Sequence, residues 1–392
     1  MNVLRPYANR LRQLVLQPTP FCNLACTYCY LPHRDDHTVM APEVLEAAFC
    51  FVRDAELPGD HLEIRWHAGE PLAVSQKFYE DAFARARCIL GKQTALHHSI
   101  QTNAVLLDPQ WVDLLQTNRV TVGVSIDGPP VIHDTRRLTR RGGGTFQKVM
   151  DGIQYLQAAN FKFDVIAVIT TDTLHHASEF MDFFENLEGM GQLGLNTEET
   201  EGTYVSKAFS ENNFEGRFRD FLEKLMKWSQ KTDIPVREFK SMRSLILAGA
   251  GSSTRNTQNE PFTILSIGSN GDMGTFSPEL LGMTHPTFGS FSIGNVLSCP
   301  LDCILATNNW PRMVAEISHG TALCRSDCEY FSVCGGGAPI NKLYEKHSFA
   351  TMETHHCRLT VKAVADVVLS AMECEIGIES PPPESQRFSP MV

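Results

Sequence analysis

The sequence predicts an α/β fold in which a partial (β/α)6 barrel is followed by a smaller cysteine-rich domain. Over the first two-thirds of the 392 residues, short strand-like segments alternate six times with helical patterns. Such alternation indicates parallel strands with right-handed crossovers, and six units are too few to close an eightfold barrel. After residue 238 the loops become long and rich in glycine and cysteine, with few strong helices before 359–375. We therefore expect domains at 1–238 and 239–378 and a disordered tail at 379–392.

The strand candidates are rich in valine and isoleucine and bounded by turn residues. The helical patterns repeat apolar residues at three- and four-residue spacing, and Pro42 opens the first helix at a position where proline is favoured. In such a partial TIM barrel the chemistry lies in the loops after the strands. We expect strands at 13–17, 62–66, 97–102, 120–126, 164–169 and 192–197, and further helices at 76–90, 109–115, 146–158, 177–186 and 214–228.

Charge and hydropathy exclude two classes of partner. Asp and Glu number 45 against 34 Lys and Arg, and the resulting net charge of −11 disfavours binding to a long phosphate backbone. No apolar stretch approaches the roughly 18 residues of a membrane span, and the N-terminus lacks the apolar core of a signal peptide. We expect a soluble, cytoplasmic protein that binds neither nucleic acid nor membranes.

The 12 cysteines are unevenly distributed. In a reducing compartment clustered cysteines indicate metal ligands, whereas scattered ones indicate small core residues. One cluster is Cys22, Cys26 and Cys29, a second is Cys324, Cys328, Cys334 and Cys357, Cys299 and Cys303 are expected to be free thiols, and Cys50, Cys88 and Cys374 are isolated in helical patterns.

The first cluster is a Cys-x3-Cys-x2-Cys run at the end of the first predicted strand. Each thiolate can bind one corner of an iron–sulfur cube, and a [4Fe–4S] cluster normally takes four cysteines. Three cysteines leave one iron open for another ligand. The alternative is a structural zinc site completed by His33 or His37, although a closed zinc site is not expected at the functional end of a barrel.

This loop, placed after the first strand of a βα barrel, resembles the signature of radical S-adenosylmethionine (SAM) enzymes. The resemblance implies that Cys22, Cys26 and Cys29 hold a SAM-binding [4Fe–4S] cluster. In that family SAM chelates the fourth iron, and its cleavage yields a 5′-deoxyadenosyl radical that abstracts hydrogen from the substrate. Segments at later strand ends resemble the family's SAM-contacting motifs. They assign Tyr28, Ala68, Gly69, Glu70, Gln101, Asn103, Ser125 and Arg137 to SAM binding.

Other interpretations of these segments stay open. Ala68 stands where the family has a first glycine, which is a mild departure unless the position needs a positive φ. The motif at 66–71 could be an ordinary βα turn, and Arg136, Arg140 and Arg141 could belong to a solvated basic loop. The acidic run 198–201 is either a solvated face or a part of the cavity that binds substrate.

The second cluster supplies four thiolates, a full set for one closed [4Fe–4S] cluster, with zinc as the alternative. Its spacing resembles the SPASM extension of radical SAM peptide maturases and implies one auxiliary [4Fe–4S] cluster held by Cys324, Cys328, Cys334 and Cys357. In that family a further auxiliary cluster uses cysteines where this chain has Phe276 and Ala338. We therefore expect the further cluster not to assemble.

Several motifs occurring together, including 66–71, 276–280 and 334–342, resemble the cyclophane-forming radical SAM/SPASM peptide maturases of the GrrM/OscB type. The resemblance implies a ribosomally made precursor peptide as substrate and a reductant such as flavodoxin or ferredoxin. The product would carry a C–C bond between an aromatic ring and a side-chain Cβ. Ser277 replaces a proton-accepting aspartate of sulfatase-maturing relatives, so Glu279 becomes the candidate catalytic base, with an ordinary surface glutamate as the alternative.

Two other functions compete with this one. A different radical SAM peptide modification would form a thioether, epimerise a residue or mature a sulfatase. A non-catalytic zinc-binding interaction protein would be colourless, whereas two four-iron clusters predict a brown protein with about eight irons.

Overall fold

Six parallel strands, in sequence order, form the larger part of the sheet. The computed structural model describes residues 4–202, 204–206, 208, 213–249, 255–298 and 309–377. Each strand pairs in parallel with the next, as the alternating pattern predicts, and Leu14, Ile64 and Val124 are fully buried in the core. The α/β prediction is confirmed. The strands are β1 (Leu11–Leu16), β2 (Pro58–Trp66), β3 (Ala95–Thr102), β4 (Thr121–Ser125), β5 (Phe163–Ile169) and β6 (Met190–Thr197).

All six predicted helices are present, and three are added, at 130–136, 171–175 and 237–248. The longest buries Phe214, Phe218, Phe221 and Leu225, the residues that predicted it. Helical patterns also hold the three isolated cysteines, but Cys88 and Cys374 are exposed, so a core role is wrong for these two. The helices are α1 (Pro42–Asp54), α2 (Gln76–Ile89), α3 (Pro109–Thr117), α4 (Pro130–Arg136), α5 (Phe146–Ala158), α6 (Thr171–His175), α7 (Ala177–Glu185), α8 (Phe214–Thr232) and α9 (Arg237–Ala248).

The sheet continues into the C-terminal region. The strand after α9 pairs in parallel with β1, opposite β2, and the next strands add to it antiparallel, so the β1 edge is covered. The expected boundary after residue 238 lies inside α9, and the division into domains stays a prediction. These strands are β7 (Ile264–Ile267), β8 (Asp272–Thr275) and β11 (Gly294–Asn295), with a separate hairpin of β9 (Thr284–His285) and β10 (Gly289–Ser290).

The expectation of few strong helices before residue 359 is wrong, because an 18-residue helix precedes the second cysteine cluster. Glycine is typical of loops, but Gly320 lies within this helix. A Cβ at Gly320 would lie 2.1 Å from the carbonyl oxygen of Phe349. The glycine therefore serves close packing. The C-terminal helix begins with a π-helical segment, Arg358–Ala363. The helices are α10 (Trp310–Asp327), α11 (Phe331–Cys334), α12 (Pro339–Lys346), α13 (His355–Cys357) and α14 (Val364–Glu375).

Two of the sequence predictions fall beyond what the structure describes. Cys299 and Cys303 lie outside the described residues, as does the tail at 379–392. Within the described ranges, none of the helices combines the length and the apolar character needed to cross a bilayer.

Candidate active site

The three cysteines of the first cluster lie in one loop after β1, at the carboxyl end of the parallel strands. Cys22, Cys26 and Cys29 are half-buried and line a cavity of about 200 Å³. Burial raises the pKa of the Cys22 thiol to about 12 and that of Cys26 to about 11. Such thiols ionise only beside a strong cation, which is what bound iron would supply. This donor set fits a cluster that takes three protein thiolates.

All the residues predicted to contact SAM surround this same cavity. The acidic run after β6 also reaches it, through Glu198 and Glu199, so the cavity-lining interpretation holds for these two residues. The structure therefore brings together side chains from six different segments of the chain. The cavity is lined by Tyr28, Ala68, Gly69, Glu70, Gln101, Asn103, Ser125 and Arg137, together with the three cysteines.

The turn after β2 is clamped against the cysteine loop. Glu70 donates its backbone N–H to the carbonyl oxygen of Phe21 at 2.7 Å. A Cβ at Gly69 would lie 2.4 Å from that same oxygen, so only glycine fits there. Ala68 has a φ of +74°, a conformation that costs an L-residue about 1–2 kcal/mol. The replacement of the family's first glycine at this position is therefore a strained departure rather than a mild one.

The Glu70 carboxylate joins two of the strand-end loops. It accepts hydrogen bonds from the backbone N–H of Leu72 at 3.0 Å, the hydroxyl of Thr102 at 2.7 Å and the backbone N–H of Asn103 at 2.8 Å. Burial raises the pKa of Glu70, and these three donors oppose that rise. Because its oxygens are used by the protein itself, the side chain holds the loops after β2 and β3 in register.

A buried ion pair lies behind Tyr28, and its acidic member was not singled out from the sequence. Arg137 donates to Asp127 at 3.0 Å, and the Tyr28 hydroxyl donates to the same carboxylate at 2.6 Å. Burial opposes the charge on Arg137, but Asp127 raises the pKa of the guanidinium above its ordinary value. At least one N–H group of the Arg137 guanidinium is therefore already bound to Asp127. The position of Asp127 two residues after Ser125 was the available signal.

The basic loop is not simply solvated. Arg140 donates through Nε and one terminal nitrogen to the carbonyl oxygen of Cys22, at 2.9 and 2.6 Å. The Arg136 side chain pairs instead with Asp172 at 3.0 Å. Arg140 therefore positions the cysteine loop, a role that the sequence did not distinguish from that of a solvated arginine.

The two amides at the end of β3 have different partners. Gln101 donates to the Ser125 hydroxyl at 2.8 Å, which links β3 to β4 across the cavity floor. Asn103 donates to the side-chain oxygen of Asn23 at 2.7 Å, and its Nδ2 lies 3.9 Å from the Cys22 sulfur. Both amides thus border the cavity while fixing the elements around it.

The four cysteines of the second cluster also share one cavity of about 200 Å³. Cys324 lies in the last turn of α10, Cys334 on α11 and Cys357 on α13. Burial raises the pKa of Cys357 to about 12, and the backbone N–H of Gly337 donates to the Cys334 sulfur at 3.1 Å. Within the described ranges, no three His, Cys, Asp or Glu side chains converge as they would on one metal ion. A four-iron cluster binds its thiolates through separate irons, and this donor set fits it.

The two positions where the related family has cysteines are occupied differently. Ala338 lines the four-cysteine cavity as the N-cap of α12. Phe276 is fully buried, and its ring lies 5.9 Å from that of Trp310 in a stacked arrangement. Phe276 is thus a core residue, and the absence of a further auxiliary cluster stays a prediction.

Glu279 is not an ordinary surface glutamate. Its side chain is half-buried, and its Oε2 is fully buried without a hydrogen-bond partner in the described residues. Burial raises the pKa of Glu279 to about 7, with a smaller contribution from Glu199. Burial and both neighbouring carboxylates also raise the pKa of Glu201. These three residues form an acidic group around the half-buried Tyr30, beside Cys29.

The acidic group connects the two cysteine sites. Glu199 lines the first cavity and accepts a hydrogen bond from the Asn341 amide at 2.7 Å. Its other oxygen lies 3.4 Å from Nδ1 of His356, the neighbour of Cys357. Glu199 thus links the loop after β6 to Asn341 and to the residue that precedes Cys357.

Comparisons with known proteins agree with this geometry. The family model described as the radical SAM superfamily matches residues 16–184. An uncharacterized protein of Synechocystis sp. is 36% identical over 371 residues, covering 93% of both chains. The cysteine-type anaerobic sulfatase-maturating enzyme of Clostridium perfringens is 26% identical over 349 residues, 83% of this chain and 88% of that enzyme.

Solved structures share the fold. Native anSMEcpe with bound AdoMet superimposes with a TM-score of 0.74 at 21% identity, over 93% of this chain and 98% of that one. Streptococcus suis SuiB bound to its precursor peptide SuiA gives a TM-score of 0.60 at 18% identity, over 89% and 76%. The cysteine loop, the parallel sheet and the family match agree with one another, and the chain belongs to the radical SAM superfamily.

Proposed function

We propose that this protein modifies a ribosomally made precursor peptide by forming a C–C bond between an aromatic ring and a side-chain Cβ. One observation carries the proposal: Glu199 lines the three-cysteine cavity and also contacts His356, the residue before Cys357 of the four-cysteine site. Glu199 belongs to an acidic group with Glu201 and Glu279. Such a bond removes one electron and one proton after the initial hydrogen abstraction. The chain offers a carboxylate for the proton and a second cysteine site for the electron.

The cofactors are SAM, a SAM-binding [4Fe–4S] cluster and one auxiliary [4Fe–4S] cluster, in keeping with the family. When bound, SAM and its cluster supply the 5′-deoxyadenosyl radical that abstracts hydrogen. Cys22, Cys26 and Cys29 hold that cluster, and Arg140 and Gly69 fix the loop that carries them. The other cavity residues bind and orient SAM.

Glu279 is the base in this proposal. Its pKa of about 7 leaves a useful fraction ionised at neutral pH, and its unpartnered oxygen is available to accept a proton. Cys324, Cys328, Cys334 and Cys357 hold the auxiliary cluster that accepts the electron. A flavodoxin or ferredoxin serves as the external reductant.

Sulfatase-type maturation is the second candidate. It is favoured by the 26% identity to a sulfatase-maturating enzyme over 83% of this chain. One position counts against this candidate. The fully buried Ser277 stands where those relatives are expected to carry the proton-accepting aspartate. The similarity to SuiB bound to a precursor peptide supports the fold that both candidates share.

The test is anaerobic co-expression with the small peptide encoded beside this gene, followed by tandem mass spectrometry. A crosslink removes two hydrogens and blocks fragmentation across an aromatic-containing segment. A thioether would also remove two hydrogens, but it would consume a cysteine that can otherwise be alkylated. Oxidation of a serine would give an aldehyde, which a carbonyl reagent would label. An unchanged mass would indicate epimerisation or the wrong peptide. The matched control is the chain with Cys22, Cys26 and Cys29 replaced by Ala.

A further inference from the structure

Lys342 lies buried beside the four-cysteine site. It is on α12, its side chain lines the cavity, and the residue is only 3% exposed. Its Nζ donates to the carbonyl oxygen of Gly320 at 3.0 Å and to the sulfur of Cys324 at 3.5 Å. Both acceptors are on α10, one turn apart, so the ammonium is directed at one thiolate position.

The positive charge of Lys342 has no carboxylate partner in the described part of the chain. A buried ammonium without an anion is costly, so the protein must gain from keeping it there. The second lysine lining this cavity differs. Lys362 lies 3.3 Å from the Glu353 carboxylate and is 26% exposed, so its charge is largely offset and screened. The negative charge facing Lys342 is that of the cysteine site itself.

We propose that Lys342 sets the reduction potential of the auxiliary cluster and so makes that site an electron acceptor. The inference rests on the proposed function, in which Cys324, Cys328, Cys334 and Cys357 hold this cluster. Hydrogen bonds to ligating sulfurs and nearby net charge both determine the potential of an iron–sulfur site. A donor and a positive charge at the Cys324 sulfur stabilise the more negative, reduced state and raise the potential.

The electron balance is simple. After the radical carbon adds to the ring, the substrate gives up one proton to the Glu279 carboxylate and one electron to the four-cysteine site. Cys324, Cys328, Cys334 and Cys357 would hold an auxiliary cluster able to take up that electron, and a flavodoxin- or ferredoxin-type carrier would remove it before the next turnover. Lys342 touches neither substrate nor the reacting atoms, so it is a positioning residue that acts through Cys324.

The experiment measures the midpoint potential of the auxiliary cluster alone. In the full-length chain, Cys22, Cys26 and Cys29 are replaced by Ala, the protein is reconstituted anaerobically with iron and sulfide, and reduction is followed by electron paramagnetic resonance. Lys342→Met removes charge and donor, Lys342→Gln removes the charge alone, and Lys362→Met is the matched control. Iron content is counted in every variant.

We expect the ratio of reduced to oxidised cluster, at the unmodified midpoint, to fall at least tenfold in Lys342→Met, a shift of about 59 mV for one electron. Lys342→Gln should shift in the same direction by less, and Lys362→Met by less than either. An unchanged midpoint in both Lys342 variants, an equal shift in Lys362→Met, or loss of the cluster from both Lys342 variants overturns the proposal. If the background chain binds no iron, the auxiliary cluster of the proposed function fails as well, and the iron count separates that case.

Discussion

The two cysteine sites differ in how the protein treats the charge beside them. At the first site the nearest buried cation, Arg137, is already paired with Asp127, and Arg140 binds the carbonyl oxygen of Cys22 rather than a sulfur. At the second site the Lys342 ammonium has no carboxylate partner among the described residues and is directed at the Cys324 sulfur. The first site thus keeps three thiols and a polar cavity for an incoming ligand. The second is complete with four thiols and is adjusted by a fixed charge.

The largest expected effect tests whether the two sites do separate work. Replacing Cys22, Cys26 and Cys29 with Ala should abolish 5′-deoxyadenosine formation and lower the iron content from about eight to about four. Replacing the four cysteines of the second cluster should also leave about four irons. SAM cleavage should continue, but the crosslinked product should not form. Iron analysis and liquid chromatography measure both. About twelve irons in the unmodified chain would show that the interpretation of Phe276 and Ala338 is wrong.

The next effect concerns Glu279, which belongs to the acidic group with Glu199 and Glu201. Glu279→Gln should lower product formation by about a hundredfold or more, because the variant has no carboxylate to accept the proton. Cleavage of SAM should continue. Burial raises the pKa of Glu279 to about 7, so the ionised base is lost as the pH falls through 7. Product formation in the unmodified chain should therefore rise between about pH 6 and about pH 8.

The exposed Glu43 on α1 provides the control for that experiment. Glu43→Gln should keep both the rate and the pH profile, measured by mass spectrometry of the peptide over the same buffers. If Glu279→Gln retains the pH profile of the unmodified chain, the titrating base is a different group, and Glu201 would be the next residue to replace.

A third effect probes the ion pair that supports the first site. Asp127→Asn leaves Arg137 buried without its anion, which should lower the free energy of unfolding by about 3–5 kcal/mol and weaken SAM binding. Asp172→Asn breaks the more exposed pair with Arg136, and the expected loss is about 1 kcal/mol or less. Chemical denaturation followed by circular dichroism compares the two variants. Equal losses would mean that the Asp127 pair is no more important than a surface contact.

Local patterns predicted the barrel well and the C-terminal region poorly. The six strands and the helices between them follow from apolar periodicity and turn residues, which are properties of neighbouring positions. The helix α10 was missed because Gly320 looks like a loop residue, whereas its use is close packing against Phe349. Strand β7 has only four residues, and nothing in them indicates that β1, some 250 positions earlier, is their partner.

The site shows the same division. The cysteines and the cavity residues were predictable because each motif follows a strand, and parallel strands end at one edge of a sheet. The raised pKa of Glu279 was not, since it depends on burial and on Glu199, 80 positions away in the chain. The contact of Lys342 with Cys324 likewise joins two helices. Such contacts between distant segments have no local signal in a single sequence.

The smallest effect concerns backbone strain at the edge of the first site. Ala68 and Ala104 both have a positive φ, +74° and +61°, and both are buried, but Ala68 lines the cavity and Ala104 does not line it. Glycine relieves about 1–2 kcal/mol of left-handed strain. It also adds freedom to the unfolded chain, which offsets about 0.4–1 kcal/mol of that gain. Each alanine-to-glycine variant should therefore gain between about 0 and about 1.6 kcal/mol in unfolding free energy.

Binding of SAM separates the two alanines. Ala68→Gly loosens the turn that carries Gly69 and Glu70, so the affinity for SAM, measured by equilibrium dialysis with the reconstituted protein, should fall severalfold despite the gain in stability. Ala104→Gly should leave that affinity unchanged. A loss of stability in Ala68→Gly would contradict the strain at this position, and an equal loss of affinity in both variants would mean that the turn after β2 has no special part in holding SAM. Nothing comparable is expected at the second site, where the fixed charge of Lys342, rather than a strained turn, is the feature to alter.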